Sequence, residues 1–164
     1  VSYMGDGIMA LFGAPLEQPD HADRALRAVR EMLKVRLPRF NDWLRQAGFD
    51  KAFRMGIGVN SGMVMSGNVG SRERLEYTAL GDTTNTASRL ESMTKDKGVQ
   101  VLIGGSTQQR LRGEGGDLVR LGDAPVRGRA ETIELWTLPE DQGDAEAGIG
   151  RDRAGVELDQ HVHE

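Results

Sequence analysis

The sequence predicts an α+β protein in which helices pack on one face of a largely antiparallel sheet. Two observations support this class. The predicted elements follow the order β-β-α-β-β-β-α-β-α-β-β, and strands that do not alternate regularly with helices favour an antiparallel sheet over a parallel one. The 164 residues also contain no repeat period and no low-complexity tract in the body of the chain. One core is therefore expected rather than an array of repeats.

The N-terminal part is predicted to open with a β-hairpin and to continue into a helix. Apolar segments at 1–4 and 7–12 flank Gly5-Asp6, which is typical of a tight hairpin turn. A helix is expected from about Asp20, because apolar residues then recur at helical spacing and basic residues occupy the other positions. Pro38 is expected to end or kink this helix, with a further turn or two over 40–44.

The remainder of the chain is predicted to alternate short strands with two more helices. Strands are expected over 53–59, 63–66, 75–80, 99–103, 118–121 and 132–138, with an exposed loop at 70–74. A helix is expected over 82–95, capped by Asp82 or Thr83 and followed by Gly98, and a short one over 106–111. Residues 139–164 lack aromatic residues and sustained periodicity, so a flexible acidic tail is predicted after a domain over 1–138.

Composition excludes several classes of function. The chain has no cysteine, which rules out disulfides, zinc-thiolate sites and a cysteine nucleophile. Its apolar runs are far too short to span a bilayer, so we expect no direct membrane contact from this segment. We expect a cytoplasmic location, which is also compatible with a parent protein anchored in a membrane. A net charge of −4 and 5% aromatic residues argue against a nucleic-acid partner.

Asp6 is a candidate metal ligand. A carboxylate on a tight turn between two apolar strands is held rigidly and can face a divalent cation. The alternative is that Asp6 serves only the turn, because aspartate is a favoured turn residue without any ligand. The residue pattern by itself leaves both interpretations open.

Asn85 and Arg89 are candidate substrate ligands on the second helix. Four residues apart, they project from one helix face about one turn from each other, while Ala87, Leu90 and Met93 can pack inward. A carboxamide beside a guanidinium suits a ribose oxygen and a phosphate. The alternative is a solvated helix face on which Arg89 pairs with Glu91 or Glu76.

Glycines and two loop arginines are further candidates for phosphate binding. The glycines allow close approach of a phosphate to the backbone, or equally a hairpin with tight bends; they are Gly56, Gly58, Gly62, Gly67 and Gly70. Arg127 and Arg129 flank Gly128 before the last predicted strand, where a cation can reach a polyphosphate or remain solvated.

Three segments together resemble the class III adenylate and guanylate cyclase homology domain. They are SYMGDGIMALFGAP at 2–15, FRMGIGVNSG at 53–62 and EYTALGDTTNTASRLE at 76–91, and the resemblance runs from residue 1 to about 138. It implies a ferredoxin-like α/β sandwich and a homodimer with active sites at its interface. It also implies cyclisation of a nucleoside triphosphate to a 3′,5′-cyclic monophosphate with release of pyrophosphate, using two divalent ions per site, Mg²⁺ or Mn²⁺.

The resemblance assigns a role to each candidate. Asp6 matches the second of the family's two metal-binding aspartates, Asn85 the asparagine that orients the ribose, and Arg89 the arginine that stabilises charge on the α-phosphate. Arg129, with Arg127 as the alternative, lies where the family has a phosphate-binding lysine. The change to arginine keeps the charge and alters the donor geometry.

Two departures from the family pattern bear on function. The family's first metal aspartate precedes the hairpin, so we expect that the first strand and the helices after it are missing before Val1. Ser2 occupies the position of a base-reading lysine, and Thr78 the position of a base-reading Asp or Thr. Thr78 favours ATP over GTP. A guanylate cyclase and a catalytically inactive, nucleotide-binding regulatory domain remain alternatives, whereas an RNA-binding sandwich lacks the required aromatic residues on its strands.

Overall fold

The structure is a computed structural model that describes residues 1–71, 74–125 and 132–141. The strands are β1 (Ser2–Met4), β2 (Gly7–Met9), β3 (Ile57–Val59), β4 (Met65–Ser71), β5 (Arg74–Leu80), β6 (Val101–Gly104), β7 (Val119–Pro125) and β8 (Thr132–Thr137). The helices are α1 (His21–Glu31), α2 (Leu37–Gln46), α3 (Asp82–Lys97) and α4 (Gly105–Gln108), with a π-helical segment at Met32–Arg36 and a 3₁₀ turn at Pro139–Asp141. The order of strands and helices confirms the predicted α+β class.

A four-stranded sheet forms the centre of the fold, in the order β3-β6-β8-β7. Strand β8 is antiparallel to both of its neighbours, while β3 and β6 are parallel. The parallel pair follows from connectivity, because α3 crosses between β3 and β6 as in a βαβ unit. The hairpins β1-β2 and β4-β5 form two-stranded antiparallel sheets of their own. The largely antiparallel character is therefore confirmed, with one parallel pair.

Helices cover both faces of the central sheet, which corrects the expectation that they pack on one face. In β6, Leu102 belongs to a core cluster with Leu90 of α3, whereas Val101 and Ile103 belong to a second cluster with Leu26 of α1. Alternate strand residues point to opposite faces, so α3 and α1 lie on opposite sides of β6. The physical reason is that all three residues are apolar and fully buried, which requires cover on both sides.

The first helical region does not end at Pro38, so of the two outcomes expected there, an end or a kink, the end is excluded. The chain stays helical from His21 to Gln46, and Pro38 occupies the first turn of α2. Just before it the hydrogen-bonding pattern changes, because the N–H of Leu37 donates to the carbonyl of Met32, five residues back. The missing N–H of proline thus falls where the α-helical ladder is already interrupted, so the helix tolerates it.

Several strand boundaries also differ from the predicted ones. The strand expected over 53–59 is shortened to β3, because the backbone of Phe53 bonds to the side chain of Asn41 instead, with its N–H donating to Oδ1 at 2.7 Å and its carbonyl accepting from Nδ2 at 3.0 Å. The loop expected at 70–74 is largely strand, since β4 and β5 pair out to Ser71 and Arg74. Residues 72 and 73 lie outside the described part.

The ends of α3 confirm one predicted signal and correct another. Gly98 follows the helix with φ +68°, the left-handed conformation expected of a glycine at a helix C-terminus. The N-cap is Gly81, so neither Asp82 nor Thr83 has that role. The hydroxyl of Thr84 donates to the Gly81 carbonyl, and Thr83 bonds to the preceding loop.

A buried carboxylate connects α1 to the segment after α4. Asp23 is 4% exposed, and its oxygens accept the backbone N–H groups of Arg112, Gly113 and Glu114 at 3.0 to 3.2 Å. Burial by itself raises the pKa of Asp23, but the three N–H donors outweigh it and hold the pKa below the ordinary value. The anionic carboxylate therefore fixes this loop on the helix.

The chain after β8 also contacts the first helical region. Glu140, in the 3₁₀ turn, places a carboxylate oxygen 2.7 Å from Nζ of Lys34. Residues 142–164, which hold most of the predicted acidic tail, lie outside the described residues. No helix in the described ranges is long and apolar enough to cross a membrane.

Gly58 sets the distance between α3 and β3, and replacing it with alanine is expected to destabilise the fold. A Cβ at Gly58 would overlap the backbone of Ala87 and Glu91 in α3, and its φ is not positive, so the cost is steric. Overpacking of this kind costs about 1–3 kcal/mol of unfolding free energy. Chemical denaturation of Gly58→Ala measures it. Gly67→Ala is the matched control, because a Cβ there meets nothing within 4 Å. Equal midpoints for the two variants would contradict the packing argument.

Candidate active site

Asp6 lies at the tip of the β1-β2 hairpin, as the sequence predicts. Met4 pairs with Gly7, which leaves Gly5 and Asp6 as the two turn residues, and Gly5 has φ +64°. A glycine with positive φ at the first turn position is the arrangement of a type II′ turn, which matches strand twist. Asp6 is exposed and makes no side-chain hydrogen bond or ion pair with any described residue. Its carboxylate is therefore available to a ligand.

Asn85 and Arg89 lie on the open side of α3. The opposite side of the helix is buried through Thr86, Leu90 and Thr94, and Leu90 joins the core. Asn85 is exposed and Arg89 is partly buried, one helical turn further along. Of the three residues predicted to pack inward, Leu90 is fully buried, and Ala87 and Met93 are partly buried.

The proposed ion pair between Arg89 and Glu91 is not formed. Within the described ranges, the Arg89 guanidinium has no hydrogen bond and no ion pair, whereas Glu91 accepts from the Ser92 hydroxyl at 3.4 Å. The side chain of Glu76 is outside the described part. By contrast, arginines of α1 are paired, as in the 2.9 Å contact of Arg24 with Asp20. Arg89 thus presents donors that no described carboxylate occupies.

The first turn of α3 is fixed by hydrogen bonds to the loop after β3. The hydroxyl of Thr83 donates to the Met63 carbonyl at 2.7 Å, and Nδ2 of Asn60 donates to the Thr83 carbonyl at 3.1 Å. These bonds lie at the end of the helix that carries Asn85. The position of its polar face is therefore set by contacts outside the helix.

Three of the candidate glycines serve helix packing rather than an open phosphate loop. A Cβ at Gly56 would lie 2.6 Å from Oγ1 of Thr94, and one at Gly62 would lie 2.6 Å from Oγ1 of Thr83. Gly58 contacts α3 between them. These three glycines therefore allow the close approach of α3, which neither of the two interpretations from the sequence anticipated, and Gly67 has open space.

Ser2 and Thr78 lie on strands that contact each other. Ser2 is in β1, partly buried and paired with Met9, and β1 contacts β5. Thr78 is in β5 opposite Gly67, and β5 also contacts α3. The structure thus brings the strands of the two predicted base-reading residues next to each other and next to the helix of Asn85. The side chain of Thr78 lies outside the described part, as do Arg127 and Arg129 entirely.

Two polar side chains that hold elements in place were not singled out from the sequence: Asn60 lies next to this site, and Asp23 lies in a separate part of the fold. Asn60 bonds to α3 and to Ser106, and Asp23 anchors the loop after α4. Asp23 precedes Leu26 by three positions, so helical periodicity places it on the buried face of α1. Asn60 directly follows an apolar strand, and a short polar side chain at that point is the available signal for a contact with the next helix.

The family model for the adenylate and guanylate cyclase catalytic domain matches residues 1–139. The chain is 37% identical over 141 residues to adenylate cyclase 1 of Rhizobium meliloti (strain 1021), covering 84% of this chain and 20% of that relative. The chain therefore spans about a fifth of that protein's length.

Two solved structures have the same fold. The crystal structure of the guanylyl cyclase Cya2 matches with a TM-score of 0.70 and 32% identity, over 82% of this chain and 66% of that one. The adenylyl cyclase CyaB from P. aeruginosa matches with a TM-score of 0.60 and 26% identity, over 76% and 63%. These matches confirm the ferredoxin-like class predicted from the sequence. With the family model covering most of its length, the chain belongs to the adenylate and guanylate cyclase catalytic-domain family.

Proposed function

We propose that the protein is an adenylate cyclase, which converts ATP to 3′,5′-cyclic AMP and pyrophosphate. The observation that supports this most directly is the pair Asn85 and Arg89 on the open face of α3. Each presents donors that no described side chain occupies. Their positions match the family residues that handle the ribose and the α-phosphate.

The proposed reaction forms a bond between the ribose 3′-oxygen and the α-phosphorus and breaks the bond from that phosphorus to the bridging oxygen of pyrophosphate. The 3′-hydroxyl loses its proton, and negative charge builds on the α-phosphate oxygens. Arg89 stabilises that charge through a guanidinium held in place by α3. Asn85, one turn away, orients the ribose so that the 3′-oxygen faces the phosphorus.

The carboxylate of Asp6 is suited to be one of the ligands of a divalent cation. Its carboxylate is exposed at a rigid turn, and Mg²⁺ in nucleotide sites is held by one or two carboxylates together with substrate phosphates and water. The described residues contain no group of three or more His, Cys, Asp or Glu that would hold a metal. When bound, Mg²⁺ or Mn²⁺ lowers the pKa of the ribose hydroxyl and neutralises the triphosphate. Two ions per site, as the family resemblance implies, require ligands besides Asp6.

Base selection is proposed to favour adenine. Thr78 occupies the base-reading position in β5, and the relative at 37% identity is an adenylate cyclase. Ser2, at the second such position, cannot supply the charged donor of a lysine. The similarity to the guanylyl cyclase Cya2 supports GTP as the second candidate. Arg129, or Arg127 as the alternative, is proposed to hold the terminal phosphates.

The active site is proposed to form between two copies of the chain. Large apolar side chains are exposed on the two hairpins, including Tyr3 and Ile8 on β1-β2 and Met65 on β4. Exposed apolar residues grouped in this way are typical of protein–protein contact surfaces. The family resemblance implies a symmetric dimer in which the hairpin of one protomer meets α3 of the other.

Parallel assays with ATP and GTP test this function. The full-length protein, supplied with Mg²⁺ or Mn²⁺, is expected to form cyclic AMP, measured by chromatography and mass spectrometry, with ATP preferred over GTP. A preference for GTP would assign the protein as a guanylate cyclase. No cyclic product from either nucleotide, with nucleotide binding retained, would favour the inactive regulatory domain.

A further inference from the structure

Asn60 joins three elements of the fold at the end of β3. Its Nδ2 donates to the carbonyl of Thr83 in the first turn of α3 at 3.1 Å, and its Oδ1 accepts from the hydroxyl of Ser106 in α4 at 2.8 Å. The neighbouring Ser61 adds a hydroxyl contact to the buried Thr107 at 3.0 Å. One carboxamide thus uses a donor and an acceptor to link two helices that follow different strands.

The surrounding backbone leaves just enough room for this carboxamide. A Cβ at Gly104, the last residue of β6, would lie 2.8 Å from Oδ1 of Asn60. Any larger residue there would displace the amide oxygen that accepts from Ser106. Ser106 in turn orients the amide, because an Oδ1 that accepts its hydroxyl leaves Nδ2 directed at the Thr83 carbonyl.

The helix turn held in this way carries the substrate-binding face. Asn85 lies two residues after Thr83, and its backbone N–H closes the first turn onto Gly81 at 3.2 Å. Neither Asn85 nor Arg89 has a described side-chain partner that would orient it. Their positions therefore depend on the position of the helix backbone, and the bond from Asn60 is one of the contacts that hold its N-terminal turn.

We infer that Asn60 and Ser106 are positioning residues for Asn85 and Arg89, and that they act by holding the first turn of α3. This inference rests on the proposed function for its catalytic readout. A displacement of about 1 Å at a reacting group can cost up to about 10²-fold in rate even when the altered residue is remote. We expect Asn60→Ala to lower kcat about tenfold, with the KM for ATP changed less than about twofold.

Matched variants separate positioning from general loss of stability. Ser106→Ala should lower kcat in the same way. Ser106→Thr retains the hydroxyl and should therefore keep kcat near the wild-type value. Asp23→Asn weakens a different hydrogen-bonded anchor, between α1 and the loop after α4, and should lower the melting temperature while leaving kcat unchanged. If Asn60→Ala lowers stability but retains the wild-type kcat, the positioning role is wrong.

Hydrogen exchange gives a readout that does not depend on activity. In Asn60→Ala the amide of Asn85 should exchange faster, while amides near Leu90 keep their protection; Asp23→Asn should change neither. Unchanged exchange at Asn85 would overturn the inference whether or not the protein is active. A wild-type protein that forms no cyclic nucleotide, but whose Asn85 amide responds to Asn60→Ala, would refute the proposed function and leave the positioning role supported.

Discussion

Replacing Arg89 with alanine is expected to lower kcat for cyclic AMP formation by about 10²–10³-fold, because a preorganised cation that faces developing charge acts mainly in the transition state. Arg89 is partly buried on a helix whose other side is in the core, and no described carboxylate occupies its guanidinium. Removing it leaves the buried side of α3 intact. Initial rates and far-ultraviolet circular dichroism on the same preparation measure both effects.

Arg45→Ala is the matched control for this substitution. Arg45 lies near the end of α2, is exposed, and pairs with Asp42 at 2.7 Å three residues earlier, a surface contact of small energetic value. Its loss should leave kcat within about twofold of wild type. If Arg89→Ala loses its circular dichroism signal, Arg89 is a structural residue. If it keeps both signal and rate, the catalytic assignment is wrong.

Mixing two inactive variants is expected to restore activity if the site is shared between protomers. Asp6 is on the β1-β2 hairpin, and Arg89 is on α3. In a heterodimer of Asp6→Ala with Arg89→Ala, one composite site carries both intact residues and the other carries neither. At equal concentrations with free subunit exchange, half of the dimers are mixed, so about a quarter of the wild-type activity should return.

A second mixture distinguishes a shared site from other effects of mixing. Asn85 and Arg89 are on the same helix, so Asn85→Ala mixed with Arg89→Ala leaves every composite site with one defect and should restore nothing. Subunit exchange is checked independently by mass spectrometry of differently tagged chains. Exchange without recovery in the first mixture would place Asp6 and Arg89 in the same chain's site. Recovery in both mixtures would exclude complementation as its cause.

The sequence predicted local features that depend on neighbouring residues. The Gly5-Asp6 turn, the division of α3 into a buried side with Leu90 and an open side with Asn85, and Gly98 at its end all follow from backbone preference and helical spacing. The family resemblance, carried by motifs that include these residues, was likewise available from the sequence and is confirmed by the family match over 1–139.

Other features depended on hydrogen bonds that the spacing of apolar residues within a segment does not reveal. The strand expected from residue 53 begins only at Ile57, because Asn41 bonds to the backbone of Phe53 from α2. Pro38 lies within a continuous helical region, because the preceding segment changes to π-helical bonding. Periodicity within one segment contains no information about a hydrogen-bond partner elsewhere in the chain.

The sequence by itself determined which residue types are present and which face of each element they occupy, since spacing along a helix or strand sets both. Only the tertiary structure decided what those faces contact. It showed that helices cover both sides of β6 and that α3 packs so close to Gly58 that a side chain there would overlap its backbone. It also showed that Asn60 bonds to the first turn of that helix. Each of these depends on close packing or a hydrogen bond between residues at least 12 positions apart, which are brought together when the core is buried.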